Sequence, residues 1–448
     1  MSDQADHHPA EELLQQGNAA FNAGLLEVAD DLYRRALPLF EALPDEGKVA
    51  DVICNLGSVA WERNDLDEAE RLYDSARDRY EAVRSYRAVA LVEQLLANVA
   101  YGRGDLHRAR WYYYRALAAL TEAGEPLEIA DCRVNLAALQ IELGQGERAL
   151  RHLADAEASY REHLSDDAMA AKLAEVDENA GLALRALSRH EESRARLTRA
   201  HETYERLGRE LKCAELEHNL AGVAWLSGRA AEAADRYRQA IDRYRRAGRE
   251  YEIADCLLGL GLLSLEQGDL RVARSRLHSA AALYENSHQW LALARVTHNL
   301  GLTWRDDPHR ALSYVVPAWA AMQSLSWGLP EVAARAEWGI MTEQAARIAL
   351  ELASSAGEPA LLAELVEAMR ATALRPGLPL PAGITSMESA AAEMPSVMPP
   401  EIDCGWPSRL APYVDQGEQL RAIGGGAPQL RAGSVHLACL LLGPGVGR

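Results

Sequence analysis

An alanine returns about every forty residues for most of the chain. Ala36, Ala76, Ala116 and Ala156 are spaced by forty, and Ala200, Ala240, Ala280 and Ala318 follow at intervals of 44, 40, 40 and 38. Seven residues before each stands a second small residue: Ala29, Ala69, Ala109, Ala149, Ser193, Ala233, Ala273 and Ala311. Four residues after each stands a large one: Phe40, Tyr80, Leu120, Tyr160, Tyr204, Tyr244, Tyr284 and Met322. A third small series, Gly17, Gly57, Ala97, Ala137, Gly181, Ala221, Gly261 and Gly301, precedes a turn residue by seven places. The turn residues are Gly24, Asn64, Gly104, Gly144, Ser188, Gly228 and Gly268, with Asp307-Pro308 in the eighth unit. A period this short cannot enclose a core of its own, so the units must stack and share one.

The spacing inside a unit is helical. Ala69, Tyr73, Ala76 and Tyr80 fall at i, i+4, i+7 and i+11, one face of an α-helix. Glycine or asparagine at the turn takes the left-handed conformation that ends a helix. Asp65, Asp105 and Asp269 then offer an acceptor to the free amides of the next helix. Each unit therefore reads as helix, tight turn, helix. The four extra residues before Gly181 add about one helical turn, and the two missing before Ala311 remove about half a turn.

Composition agrees with helices. The chain has only two Phe, against sixteen Tyr and nine Trp, and Ala and Leu abound. Acidic residues outnumber basic ones by 66 to 47, for a formal charge of -19. That balance speaks against nucleic-acid and anionic-membrane partners, which require excess cations. No stretch reaches the ~18–20 apolar residues of a membrane span, and Met1 to Pro9 lacks the form of a secretory signal. A cytoplasmic location is expected. Six cysteines stand far apart without a C-x-x-C pair, and those in helical patterns are expected to be buried hydrophobes.

The segments "CNLGSVAWERNDLDEAERLYDSARDRYEAV" and "HNLAGVAWLSGRAAEAADRYRQAIDRYRRAG" resemble the tetratricopeptide repeat (TPR), in its longer, forty-residue form. The resemblance implies an all-α fold: a right-handed superhelical solenoid of antiparallel helix pairs over roughly residues 11–374. Residues 1–10 read as a flexible N-terminus, 11–336 as eight units, and 337–374 as a degenerate capping pair. Nine prolines and Gly424-Gly425-Gly426 mark 375–434 as a linker. Residues 435–448 form an apolar segment with the pattern of one strand. A TPR array followed by such a joint is similar to bacterial TPR proteins with a caspase-like CHAT domain, and the resemblance implies an architecture whose catalytic half is missing. That layout implies a second use, as the sensor or regulatory arm of a caspase-like protease or transcriptional system.

The strongest functional signal is an asparagine two residues before the small position of the first helix: Asn55, Asn135, Asn179, Asn219 and Asn299. The resemblance puts this face on a concave groove. A primary amide has two donors and an acceptor, so it can pair with an extended peptide backbone whatever its side chains. Asn18 and Asn98 share the face at i+3, as do His218, His298, Trp61, Tyr101, Trp225, Arg185 and Arg305 by the same spacing. The competing reading is that the amides bridge neighbouring helices. The expected partner is a protein or peptide, with self-association left open. No cofactor, metal or catalytic constellation is expected. His218 and His298 are two units apart, and His436 and Cys439 would point to opposite faces of a strand. The run Trp111-Tyr112-Tyr113-Tyr114 reads as packing between repeats rather than a base-stacking platform.

Overall fold

The computed structural model describes residues 9–287, 289–326 and 332–373. Among the described residues it is all helix, with eighteen α-helices and no strand. The expectations for the N-terminal residues 1–8, the linker at 375–434 and the apolar end at 435–448 lie outside them. Two compact units divide between Ala233 and Ala234.

In the first unit, helices pair as hairpins: α1 (Pro9–Asn22) with α2 (Leu26–Glu41), α3 (Glu46–Glu62) with α4 (Leu66–Ala82), and α5 (Tyr86–Gly102) with α6 (Leu106–Ala123). α7 (Pro126–Glu142) with α8 (Gly146–His163) and α9 (Asp166–Ala186) with α10 (His190–Arg206) continue the series. The unit ends with α11 (Glu210–Leu226) and the start of α12 (Ala230–Arg246). Each second helix also packs on the first helix of the next hairpin, so the stack is continuous. The second unit holds the rest of α12 and the pairs α13 (Glu250–Glu266) with α14 (Leu270–Asn286) and α15 (Trp290–Leu302) with α16 (Pro308–Ser326). α17 (Val332–Ser355) packs on α16 and on α18 (Pro359–Ala373).

The periodic residues make this core. Ala36, Ala76, Ala116, Ala156, Ala200, Ala240, Ala280 and Ala318 have no exposed surface, and the large residues four places on are all buried. The small position on the first helix is where the pair closes. A Cβ added to Gly57 would lie 2.7 Å from the Tyr73 ring, well inside contact distance. All seven turn residues carry positive φ, including Asn64 and Ser188 at 60°. The backbone amides of Glu68, Arg108 and Val272 donate to the carboxylates of Asp65, Asp105 and Asp269, capping α4, α6 and α14.

The two irregular intervals show what they do. α9 has 21 residues where its neighbours on the first-helix side have 17. α15 has only 13, so it loses a whole turn rather than half of one. The chain leaves the helix at Leu302 and restarts at Pro308, whose fixed φ suits the first position of a helix, with Asp307 accepting from the Arg310 amide.

Candidate functional site

The first helices of the first unit put their candidate residues along one face, and side chains link successive hairpins there. Asn55 Nδ2 donates to Asn18 Oδ1 at 3.1 Å, and Asn18 also accepts from the Tyr33 hydroxyl at 2.8 Å. Asn135 Nδ2 donates to Gln94 Oε1 at 3.2 Å, one hairpin back. Arg185 Nη1 approaches Asn219 Oδ1 at 3.4 Å. Asn98 accepts from the Tyr113 hydroxyl of its own hairpin at 3.2 Å. Asn18, Asn98 and Asn135 are exposed, and Asn55, Asn179 and Asn219 are half-buried.

The remaining candidates divide. Asn179 turns its amide onto its own helix, donating to the Glu175 carbonyl at 3.0 Å. Trp61 and Tyr101 are half-buried, and the Tyr101 hydroxyl donates to Glu142 at 2.8 Å. Trp225 is buried. His218 is half-buried, and burial together with the nearby Arg185 pulls its pKa down to about 4, so it is neutral at pH 7.

The second unit has a different face. Arg305 is exposed, whereas His298 and Asn299 are 4% and 2% exposed. Asn299 donates to the Arg295 carbonyl at 3.0 Å, and its Oδ1 has no partner. Neither ring nitrogen of His298 is hydrogen-bonded, and burial, with Arg305 near, brings its pKa to about 4. In this conformation a ligand on the surface meets Arg305 but not the two residues beneath it.

A row of carboxylates escaped the sequence reading. The Tyr80, Tyr160 and Tyr284 hydroxyls donate to Asp51, Asp131 and Asp255 at 2.6, 2.5 and 2.5 Å, each tying the end of a second helix to its own first helix. The signal was present: acid and tyrosine stand 29 residues apart each time. Lys172 Nζ adds an ion pair to Asp131 at 2.7 Å from the next hairpin. Among the described residues, no group of three or more His, Cys, Asp or Glu is placed to hold a metal ion, and no helix is long and apolar enough to cross a membrane. The four cysteines of the helical array, Cys54, Cys132, Cys213 and Cys256, are buried free thiols.

Comparison with known proteins fits this geometry. The tetratricopeptide-repeat family profile matches residues 4–82 and 172–246. No curated protein sequence gives a significant match. Among solved structures, the chain is similar to the apo form of the quorum sensor NprR from B. thuringiensis, at 15% identity and a TM-score of 0.51, over 66% of this chain and 82% of that one. It is similar to aspartyl phosphate phosphatase F from Bacillus subtilis at 11% identity and a TM-score of 0.50, over 84% and 95% of the two chains. It is also similar to the apo form of RapI at 12% identity and a TM-score of 0.51, over 61% and 97%. At these identities the likeness is one of fold. The profile match and the repeated hairpin identify residues 4–82 and 172–246 as tetratricopeptide repeats.

Proposed function

We propose that the chain is a non-catalytic protein-interaction scaffold whose first-helix face holds an extended peptide or partner segment. The observation that carries this reading is the set of partly used amides in the first unit. After their bonds to Asn18 and Gln94, Asn55 and Asn135 each keep one N–H and a carbonyl oxygen, and Asn98 keeps both N–H groups. An extended backbone presents the complement, alternating C=O and N–H. Half-buried Trp61 and Tyr101 lie on the same face and give a ligand apolar surface. NprR is a quorum sensor and the Bacillus subtilis relative a phosphatase by name, so the shared fold serves more than one task. The scaffold reading for this chain rests on its own amides. A cytoplasmic setting belongs to the same proposal; a sensor or regulatory arm of a caspase-like or transcriptional system is the alternative to it.

The test begins with a random seven-residue peptide library panned on the purified chain. Selected peptides are then titrated against Asn55→Ala, Asn98→Ala and Asn135→Ala. Each lost amide pairing is expected to cost about 0.5–1.5 kcal/mol, or roughly two- to tenfold in affinity, with melting temperatures close to the parent. Lowered melting temperatures with unchanged affinity would assign these asparagines to bridging and remove the proposal.

A further inference from the structure

On most of the first unit's second helices, arginines are neutralised in place. Arg34 and Arg35 of α2 pair with Asp30 and Asp31, Arg71 and Arg77 of α4 with Glu68 and Asp74, and Arg189 at the start of α10 and Arg194 within it with Glu192 and Glu191. Arg108 and Arg115 of α6 follow the same rule, pairing with Glu70 and with Glu81 and Glu93, but in the adjoining stripes of α6 and α8 Arg110, Arg148 and Arg151 break it. Before Glu122, α6 has no acidic residue at all. Arg110 reaches only the His107 ring, at 3.3 Å, and Arg148 bonds only the neutral Gln145, at 3.1 Å. Arg151 is exposed and has no ion pair among the described residues.

Two large rings stand among these cations. Tyr112 and Tyr113 enter the core as expected, but Trp111 is 52% exposed and Tyr114 45%. The Tyr114 ring centroid lies 6.5 Å from that of His152 on α8, which joins the two stripes into one surface. Arg110 and Tyr114 are i,i+4 neighbours on α6, and Arg148 and Arg151 are i,i+3 neighbours on α8. Arg115 stacks on Trp111 with its Cζ 4.9 Å from the ring centre and Tyr112 meets the indole edge to face at 4.9 Å, while half of the Trp111 surface stays exposed.

We propose that this surface docks an acidic protein segment, carboxylates to Arg110, Arg148 and Arg151 and an apolar side chain to Trp111 and Tyr114. It lies on the second helices and is independent of the face proposed above. Charge complementarity selects the occupant. The patch carries these unpaired cations in a chain of net charge -19. Glu147 and Asp155 beside it on α8 are taken up by Arg189 and Arg133. Further acids lie on the helices to either side: Asp67 and Asp78 of α4 are 97% and 70% exposed, and Glu191 of α10 is 64% exposed. A long polyanion such as nucleic acid would overrun the patch onto these carboxylates, whereas a short acidic segment fits inside them.

The experiment titrates the full chain with a fluorescein-labelled fifteen-residue peptide of Glu-Asp-Leu triplets, a Lys-Lys-Leu counterpart, and a single-stranded oligo(dT) of the same length. The acidic peptide should bind at low salt, weaken at least about fivefold between ~50 and ~250 mM salt, and outbind both others. Arg110→Glu with Arg151→Glu, or Trp111→Ala with Tyr114→Ala, should lower its affinity at least about tenfold, or ~1.4 kcal/mol. Arg34→Glu, the same charge change on α2, should leave it within about twofold. The proposal is overturned by an acidic peptide that does not bind, by patch variants with parental circular dichroism that bind it normally, or by an equal loss in Arg34→Glu. Tighter binding of oligo(dT) through the same residues overturns it in favour of a nucleic-acid partner.

Discussion

In the hairpin α3/α4, Asp51 accepts a hydrogen bond from Tyr80, and Asn55 reaches out to the neighbouring hairpin. In α15/α16 the same repeat positions hold Arg295 and Met322 in place of the acid and the tyrosine, and Asn299 bonds its own helix. Arg295 is 7% exposed, and its Nε and Nη2 have no hydrogen-bond partner among the described residues. The two hairpins share a tight glycine on the first helix and an aspartate capping the second, although α15 is a turn shorter than α3. The register of small residues thus fixes how helices meet but leaves the charge at a given position free to reverse.

That comparison can be broken most directly at Arg295. A buried, unpaired guanidinium is costly, so Arg295→Met should stabilise the second unit by about 1–4 kcal/mol. Asp51→Met should do the opposite, costing about 1–3 kcal/mol because the Tyr80 hydroxyl loses its acceptor. Urea denaturation of both variants gives the two signs, and a destabilised Arg295→Met would show that the guanidinium is satisfied after all.

A second pair sharpens the point within the first unit. Glu93 and Asp177 both stand four residues before the small position of a first helix. Glu93 is wholly buried, and Arg115 Nη2 lies 2.9 Å from its Oε1 without hydrogen-bond alignment. Burial pushes its pKa up to about 7, with Arg115 and Arg77 opposing. Since the folded pKa lies above the unfolded one, the stability linked to Glu93 is complete below about 4.5 and is lost as pH rises through about 7. Glu93→Gln should therefore raise stability at pH 8 by on the order of 1–3 kcal/mol and change little at pH 4.5. Asp177 accepts from Arg196 and Arg199, so Asp177→Asn should destabilise at pH 8 instead, by about 1–3 kcal/mol. Melting curves at the two pH values check both, and an Asp177→Asn variant as stable as the parent would remove the contrast.

The smallest effect should be the one the two hairpins share. Asp65→Ala and Asp307→Ala each remove a helix cap, and each should cost about 1 kcal/mol. A large difference between them would mean that even the backbone devices are not equivalent.

The fold was legible because its signals are local and repeated. Ala76 and Tyr80 mark a buried face by spacing alone, and Asn64 and Gly104 mark turns by the conformation they permit. The candidate face was less so. One asparagine position has three outcomes: Asn55 bridges outward, Asn179 folds back on its own carbonyl, and Asn299 lies buried. What decides among them is the side chain opposite and how closely the next helix covers it, and neither is written in the spacing. Trp111 and Tyr114 likewise share a run with Tyr112 and Tyr113, and only the direction each leaves the helix separates surface from core.

The hydrogen bonds that tie one helix to another in the first unit join residues 12 to 41 places apart, within a hairpin or to a near neighbour. No helix there waits for a distant part of the chain. During synthesis, each hairpin leaving the ribosome finds its packing surface already made by the one before it, and the growing protein is never more than about one repeat away from burying what it has just exposed.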